Sequence, residues 1–129
     1  MPSSPSSPPR VLVIDDDVDI REAVQTALEE AGYAVIAAAD GAEGLMRVER
    51  DCPDIVVLDV VMPRRSGLRV LEVLNQRTHD GPSVILMTGN TGDALKQFAK
   101  EHGADVYLSK PFDIDELLTE VRRLLPLPE

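Results

Sequence analysis

Ile55-Val56-Val57-Leu58-Asp59 decides how this chain folds: an uninterrupted apolar run that ends on a carboxylate. A short run with no polar residue on either side of the pleat reads as a strand buried on both faces, which is the habit of parallel sheets covered by helices. Working outward, the same shape recurs. Val11-Leu12-Val13-Ile14 ends on Asp15-Asp16, Val84-Ile85-Leu86-Met87 ends on Thr88, and Val106-Tyr107-Leu108-Ser109 ends on Lys110. Ligand sites of open α/β sheets lie outside the carboxyl ends of the strands, so these four ends predict one site holding three carboxylates, a hydroxyl and an ammonium.

The segments between the runs carry helical spacing. Ile20, Ala23, Val24, Ala27 and Leu28 follow Asp17 at the spacing of one buried face, and Gly32 closes that helix. A second strand is expected over Tyr33 to Ala38. Asp40 and Glu43 form a capping-box pattern that starts a helix running to about Arg50, and Pro53 marks the break before the next strand. Leu68, Leu71 and Leu74 give the third helix its core face, and Asp80-Gly81-Pro82 is a turn. Ala94, Leu95, Phe98 and Ala99 define a fourth helix closed by Gly103. Asp113 and Glu116 form a second capping pattern before Leu117, Leu118, Val121, Leu124 and Leu125, with Pro126 ending that fifth helix. Strand alternating with helix predicts an α/β domain with a parallel sheet over 11–125. Residues 1–10, rich in Ser and Pro, read as a disordered leader or linker stub, and 126–129 as a short tail. Five strands and five helices fill the length and leave no room for an output domain.

At 129 residues the chain suits one domain with a real core. A formal net charge of -10 argues against direct nucleic-acid binding or an anionic membrane surface, both of which need clustered Lys and Arg. No apolar stretch is long enough to span a bilayer, which argues against membrane insertion, and no signal peptide is evident, so a cytoplasmic protein is expected. The single Cys52 excludes an internal disulfide and reads as a packed or surface residue. His79 and His102 read as surface residues, Asp17 as a helix cap, and Arg64 and Arg65 as solvated loop charges able to attract an anion.

In a right-handed βα domain all strands run the same way, so Asp15, Asp16 and Asp59 converge. Two unit charges about 4 Å apart repel by roughly 4 kcal/mol at an effective dielectric near 20, so three neighbouring carboxylates call for a cation. A hard divalent ion such as Mg²⁺ fits oxygen ligands and a phosphate together, so the site reads as metal-dependent phosphoryl chemistry. A carboxylate can be the nucleophile if the charge of the transferring group is neutralised. Lys110 supplies an ammonium, Thr88 a hydroxyl donor, and Gly89 leaves space beside it.

These motifs, in this order, closely resemble the receiver domain of bacterial response regulators. The matching stretches are Val13-Ile14-Asp15-Asp16-Asp17, Asp40-Gly41-Ala42-Glu43-Gly44-Leu45, the run from Asp54 to Pro63, Met87-Thr88-Gly89, and the run from Gly103 to Phe112. The resemblance covers nearly all of Arg10 to Leu125. It implies a flavodoxin-like (βα)5 doubly wound fold with strand order 2-1-3-4-5. It makes Asp59 the phosphoacceptor, with Mg²⁺ or Mn²⁺ bound directly by Asp16 and Asp59, through water by Asp15, and by the Val61 backbone carbonyl. Thr88, Gly89 and Lys110 would contact the phosphoryl group, and Tyr107 would be the aromatic that turns inward when Thr88 moves, remodelling the face of the fourth helix, fifth strand and fifth helix. The Lys110-Pro111 bond would be cis and aim the lysine at the site.

The implied partners are a histidine kinase or a histidine phosphotransfer protein, and a downstream protein that the sequence does not name. The protein would act on no substrate beyond its own phosphorylation and dephosphorylation, as a monomer that could dimerise when phosphorylated. Val61 and Asn90 occupy the positions that flank the attacking water in this family. An apolar Val61 cannot orient that water, which predicts slow self-dephosphorylation; unchanged decay in Val61→Asn would refute this.

Other readings stay open at this point. The chain could be a receiver cut from a hybrid kinase or a larger regulator, although Met1 favours a natural start; it could also pass phosphate between two histidines. An Asp-based phosphatase of the haloacid dehalogenase type would use Asp15 as nucleophile and Asp17 two residues on, but Asp19 stands where Thr or Val is wanted. A flavin domain of this architecture would want a stacking platform, and the chain has no Trp. A degenerate receiver would not need Asp15, Asp16, Asp59, Thr88 and Lys110 together.

Overall fold

The computed structural model describes residues 8–59, 67–75, 81–89, 97, 100–101, 103–110 and 112–127. Five strands, β1 (Arg10–Ile14), β2 (Ala34–Ala38), β3 (Ile55–Asp59), β4 (Ser83–Thr88) and β5 (Val106–Ser109), form one sheet in the order β2-β1-β3-β4-β5. Every pairing is parallel. Helices α1 (Val18–Ala31), α2 (Gly41–Asp51) and α3 (Gly67–Asn75) connect the first four strands, and a C-terminal helix spans Ile114–Leu124. Gln97, Lys100 and Glu101 are also helical. The rest of the expected fourth helix lies outside the described residues, as do Val61, Asn90, Pro111, Arg64, Arg65, His79 and His102.

The apolar runs of β1, β3 and β4 are buried on both faces because strand side chains alternate and each face has its own cover, whereas β5, at the sheet edge, is fully buried only at Leu108. Leu12, Ile14, Val56, Leu58, Val84 and Leu86 pack with Val48 of α2 and Val70, Leu71 and Leu74 of α3. Val11, Val13, Ile55, Val57, Ile85 and Met87 pack with Val24 and Leu28 of α1 and Leu117 and Val121 of the C-terminal helix. The α2 layer sits close to the sheet because residue 44 is glycine: a Cβ there would stand 2.4 Å from Ile14 Cδ1.

Helix ends follow local chemistry. The Asp17 carboxylate accepts from the Asp19 and Ile20 N–H groups, and Gly32 closes α1 at φ 109°, a region that strains L side chains. Asp40 accepts from the Glu43 N–H at 2.8 Å, but Glu43 reaches one residue past the expected partner, accepting from Ala39 N–H at 2.9 Å. At the last helix Glu116 accepts from the Asp113 N–H at 3.4 Å. Exposed Cys52 takes a left-handed conformation, φ 48°, as the C-cap of α2.

Two boundaries differ from the sequence pattern. The Pro9 carbonyl accepts from Ala34 N–H at 2.9 Å and Arg10 already belongs to β1, so pairing extends into the Ser/Pro-rich segment. Tyr33 is not the first residue of β2. Its ring is buried in the α1-side core and its hydroxyl donates to the Leu125 carbonyl at 2.9 Å. Leu127 continues that seam, packing beside the same core and over Gly32.

Candidate functional site

Register and alternation together bring the acidic groups to one place. Ile14 pairs with Leu58, so Asp15 and Asp59 leave adjacent strands at the same height and continue the α1-side face that Val13 and Val57 occupy. Asp15 is fully buried and Asp59 is 4% exposed, while Asp16 faces solvent. Ligand oxygens of Asp15, Asp16 and Asp59 all lie within 4.8 Å of one another. The structure thus unites the three carboxylates expected from the strand ends.

Lys110 reaches them from β5. Its backbone N–H extends the ladder, donating to the Thr88 carbonyl at 2.6 Å. Its ammonium stands 3.3 Å from Asp15 Oδ2 and 3.4 Å from Asp59 Oδ1, bridging the two buried carboxylates. Asp15 is further held by the Asp17 N–H on Oδ1 at 2.9 Å, and its own N–H donates to Ala38 O at 3.1 Å. A guanidinium that the motif pattern does not single out completes this shell: Arg21 Nη1 donates to the Asp15 carbonyl at 2.8 Å. Its signal in the sequence is only a cation one helical turn into α1.

Thr88 is fully buried one alternation out of phase with Met87, on the α3-side face of the sheet. Tyr107 pairs with Leu86 and packs on that same face, so Thr88 and Tyr107 are diagonal neighbours on adjacent strands. Burial pushes the Tyr107 phenol above its ordinary pKa. The acids and Lys110 therefore lie on one side of the sheet edge and the Thr88–Tyr107 pair on the other. Among the described residues, chain neighbours aside, nothing lies within 4 Å of where a Cβ on Gly89 would stand.

Among the described residues, three carboxylates against the Lys110 ammonium and the Arg21 guanidinium still leave an excess of negative charge in a largely buried place. Oxygen-only donors at that spacing fit a hard divalent cation. Beside Lys110 an apolar groove of about 390 Å³ opens between α1 and the start of the C-terminal helix, lined by Ile20, Ala23, Val24, Phe112 and Ile114. Ala23, expected in the buried stripe of α1, is exposed in this groove because the two helices part there.

The sequence pattern of the response regulator receiver domain matches residues 11–122. This chain belongs to that family. The receiver is 42% identical over 116 residues to Response regulator MprA of Mycobacterium leprae, covering 90% of this chain and 50% of that protein. The chain thus spans about half the length of the curated relatives it matches. Among solved structures, it resembles a CheY-like receiver domain protein from Methanospirillum hungatei, with TM-score 0.85, 31% identity and coverage of 91% of this chain and 93% of that one. It also resembles the response regulator TrrA from Thermotoga maritima, solved in complex with Mg²⁺-BeF, with TM-score 0.81, 35% identity and coverage of 91% and 99%. The flavodoxin-like, doubly wound order expected from the resemblance is the order observed. Receiver domains of response regulators are signalling modules of two-component systems. Among the described residues no helix is long and apolar enough to cross a membrane.

Proposed function

We propose that this receiver accepts a phosphoryl group on Asp59 from a phosphohistidine donor and passes the signal on through a change of surface. The observation that carries this reading is the Lys110 ammonium set between buried Asp15 and Asp59 at the open edge of the sheet. In the transfer, an Asp59 carboxylate oxygen forms a bond to phosphorus as the donor's P–N bond breaks, and that bond's electron pair leaves with the imidazole. Lys110 sits where it can pair with a phosphoryl oxygen, and the Thr88 hydroxyl would pair with another once drawn toward the group. Asp15, Asp16, Asp59 and the Val61 carbonyl would hold Mg²⁺ or Mn²⁺. Bound there, the ion supplies positive charge against the transferring oxygens.

The resting structure supports the choice of Asp59 over Asp15 as nucleophile. Asp15 is fully buried and hydrogen-bonded through both oxygens, one to the Asp17 N–H and the other to Lys110, whereas Asp59 keeps 4% exposure. That disfavours the dehalogenase-type reading. The donor would be a histidine kinase or a histidine phosphotransfer protein in the cytoplasm. The apolar groove beside Lys110 is the surface on which it would rest while its histidine faces Asp59. After transfer, the phosphoryl group would draw the Thr88 hydroxyl, vacating space that Tyr107 can fill on the same face of the sheet. The reader of that change, and any dimerisation, would act at the face of β5, the preceding helix and the C-terminal helix.

The test is intact mass after incubation with Mg²⁺ and a small acyl phosphate. The wild type gains one phosphoryl group and Asp59→Asn gains none. Uptake by Asp59→Asn that is lost in Asp15→Asn would overturn the assignment.

A further inference from the structure

We infer that Arg21 is a positioning residue for the metal site, acting through the peptide that joins Asp15 to Asp16. The inference rests on the metal-binding reading above and adds to it a residue from outside the strand ends.

The last sheet bond of β1 is made by the Asp15 N–H, so the Asp15 carbonyl emerges where the ladder has ended. A buried carbonyl without a partner costs about 1–3 kcal/mol. Arg21 folds back over the first turn of α1 and donates Nη1 to that oxygen at 2.8 Å, while its own N–H continues the helix to the Asp17 carbonyl at 2.9 Å. The Asp15 carbonyl and the Asp16 N–H belong to one rigid plane. Pinning the oxygen therefore sets the plane from which the Asp16 side chain departs.

That matters most for Asp16. Asp15 is aimed by its own hydrogen bonds with Asp17 and Lys110, whereas Asp16 is exposed, and among the described residues no hydrogen bond holds its carboxylate. Its direction toward the cluster, where its oxygen comes within 4.8 Å of those of Asp15 and Asp59, is inherited from the backbone that Arg21 clamps. Groups that orient metal ligands without touching the metal commonly change affinity by about 10- to 100-fold when removed.

Positioning and bare charge predict opposite signs. A guanidinium near a cation site repels the cation, so as a charge alone Arg21 weakens Mg²⁺ binding and its removal would tighten it. As a clamp it strengthens binding, and its removal loosens it.

The experiment is calorimetric titration of the intact chain with Mg²⁺ alone, for the wild type, Arg21→Met, Arg21→Gln and Arg21→Lys, with urea unfolding of each. The expected result is that Met and Gln weaken binding by about tenfold or more. Lys, which keeps a donor and the charge, recovers part of the loss. Gln carries the test if Met does not fold. Wild-type or tighter affinity in folded Met or Gln overturns the inference, even if both are less stable. A wild type that takes up no Mg²⁺ overturns the metal reading itself, a failure visible before any variant is compared.

Discussion

Replacing Lys110 with Met removes the ammonium between two buried carboxylates while keeping most of the side chain's length. Oxygens of Asp15 and Asp59 lie no more than 4.8 Å apart, a separation at which two unit charges repel by about 3 kcal/mol at an effective dielectric near 20. In the wild type, contacts of 3.3 Å and 3.4 Å to the same ammonium offset this repulsion. Deleting one member of a buried ionic group usually costs about 3–5 kcal/mol, because the remaining charges stay out of water. Lys110 is 20% exposed, so the low end applies and Lys110→Met should lose on the order of 3 kcal/mol in metal-free urea unfolding. Mg²⁺ should then rescue the variant, since a ligand at a hundredfold excess over its Kd stabilises the folded state by about 2.7 kcal/mol. The rescue should exceed the gain of the wild type, whose ammonium competes with the ion for the same oxygens. Far-UV circular dichroism across urea, with and without excess Mg²⁺, measures both quantities. A variant as stable as the wild type without metal, or a deficit that Mg²⁺ leaves unchanged, would refute this account of the charge balance.

Three further outcomes follow from other parts of the molecule. Ala23→Glu, placed in the groove beside Lys110 at an exposed helical position, should cut phosphoryl uptake from a histidine-bearing donor protein at least tenfold. It should leave labelling by a small acyl phosphate intact; equal loss with both donors would remove the groove from donor docking. Gly32→Ala, at φ 109° under Leu127, should cost about 1–2 kcal/mol in thermal unfolding, and a neutral result would mean that the helix end relaxes. Burial, partly countered by Arg122, raises the Tyr33 phenol above its ordinary pKa. Its contribution is therefore complete below the unfolded tyrosine value of about 10 and is lost as pH rises through the folded value, when the hydroxyl can no longer donate to Leu125. Stability should fall above that pH less steeply in Tyr33→Phe, and identical slopes would dismiss Tyr33 as the cause.

Much of the frame is legible in the residues because its signals are local. An unbroken run such as Val56-Val57-Leu58 can be satisfied only by cover on both faces, and it is packed on both. Asp17 before α1 and Gly32 after it are caps by their own chemistry, and both act as such. Strand ends bearing Asp15, Asp59 and Lys110 meet because parallel strands share an edge.

Other features depend on partners distant along the chain or on the other side of the sheet. Tyr33 reads as a strand residue until the C-terminal segment folds back to place Leu125 beside its hydroxyl. Arg21 looks like one more helical cation until the end of β1 leaves a carbonyl within its reach. The separation of Thr88 and Tyr107 from the acids depends on the phase of each strand and on which helices cover which face.

Apolar periodicity and the chemistry of the strand ends were sufficient for the α/β architecture and for the inventory of charged groups, because both depend on interactions within a few residues. Which carboxylate is sealed from water, which cation bridges it, and where an apolar groove opens beside Lys110 required the packed domain. Burial, hydrogen-bond saturation and helix spacing are properties of neighbours far apart in the chain, and they acquire values only when the sheet and its two helical layers close together.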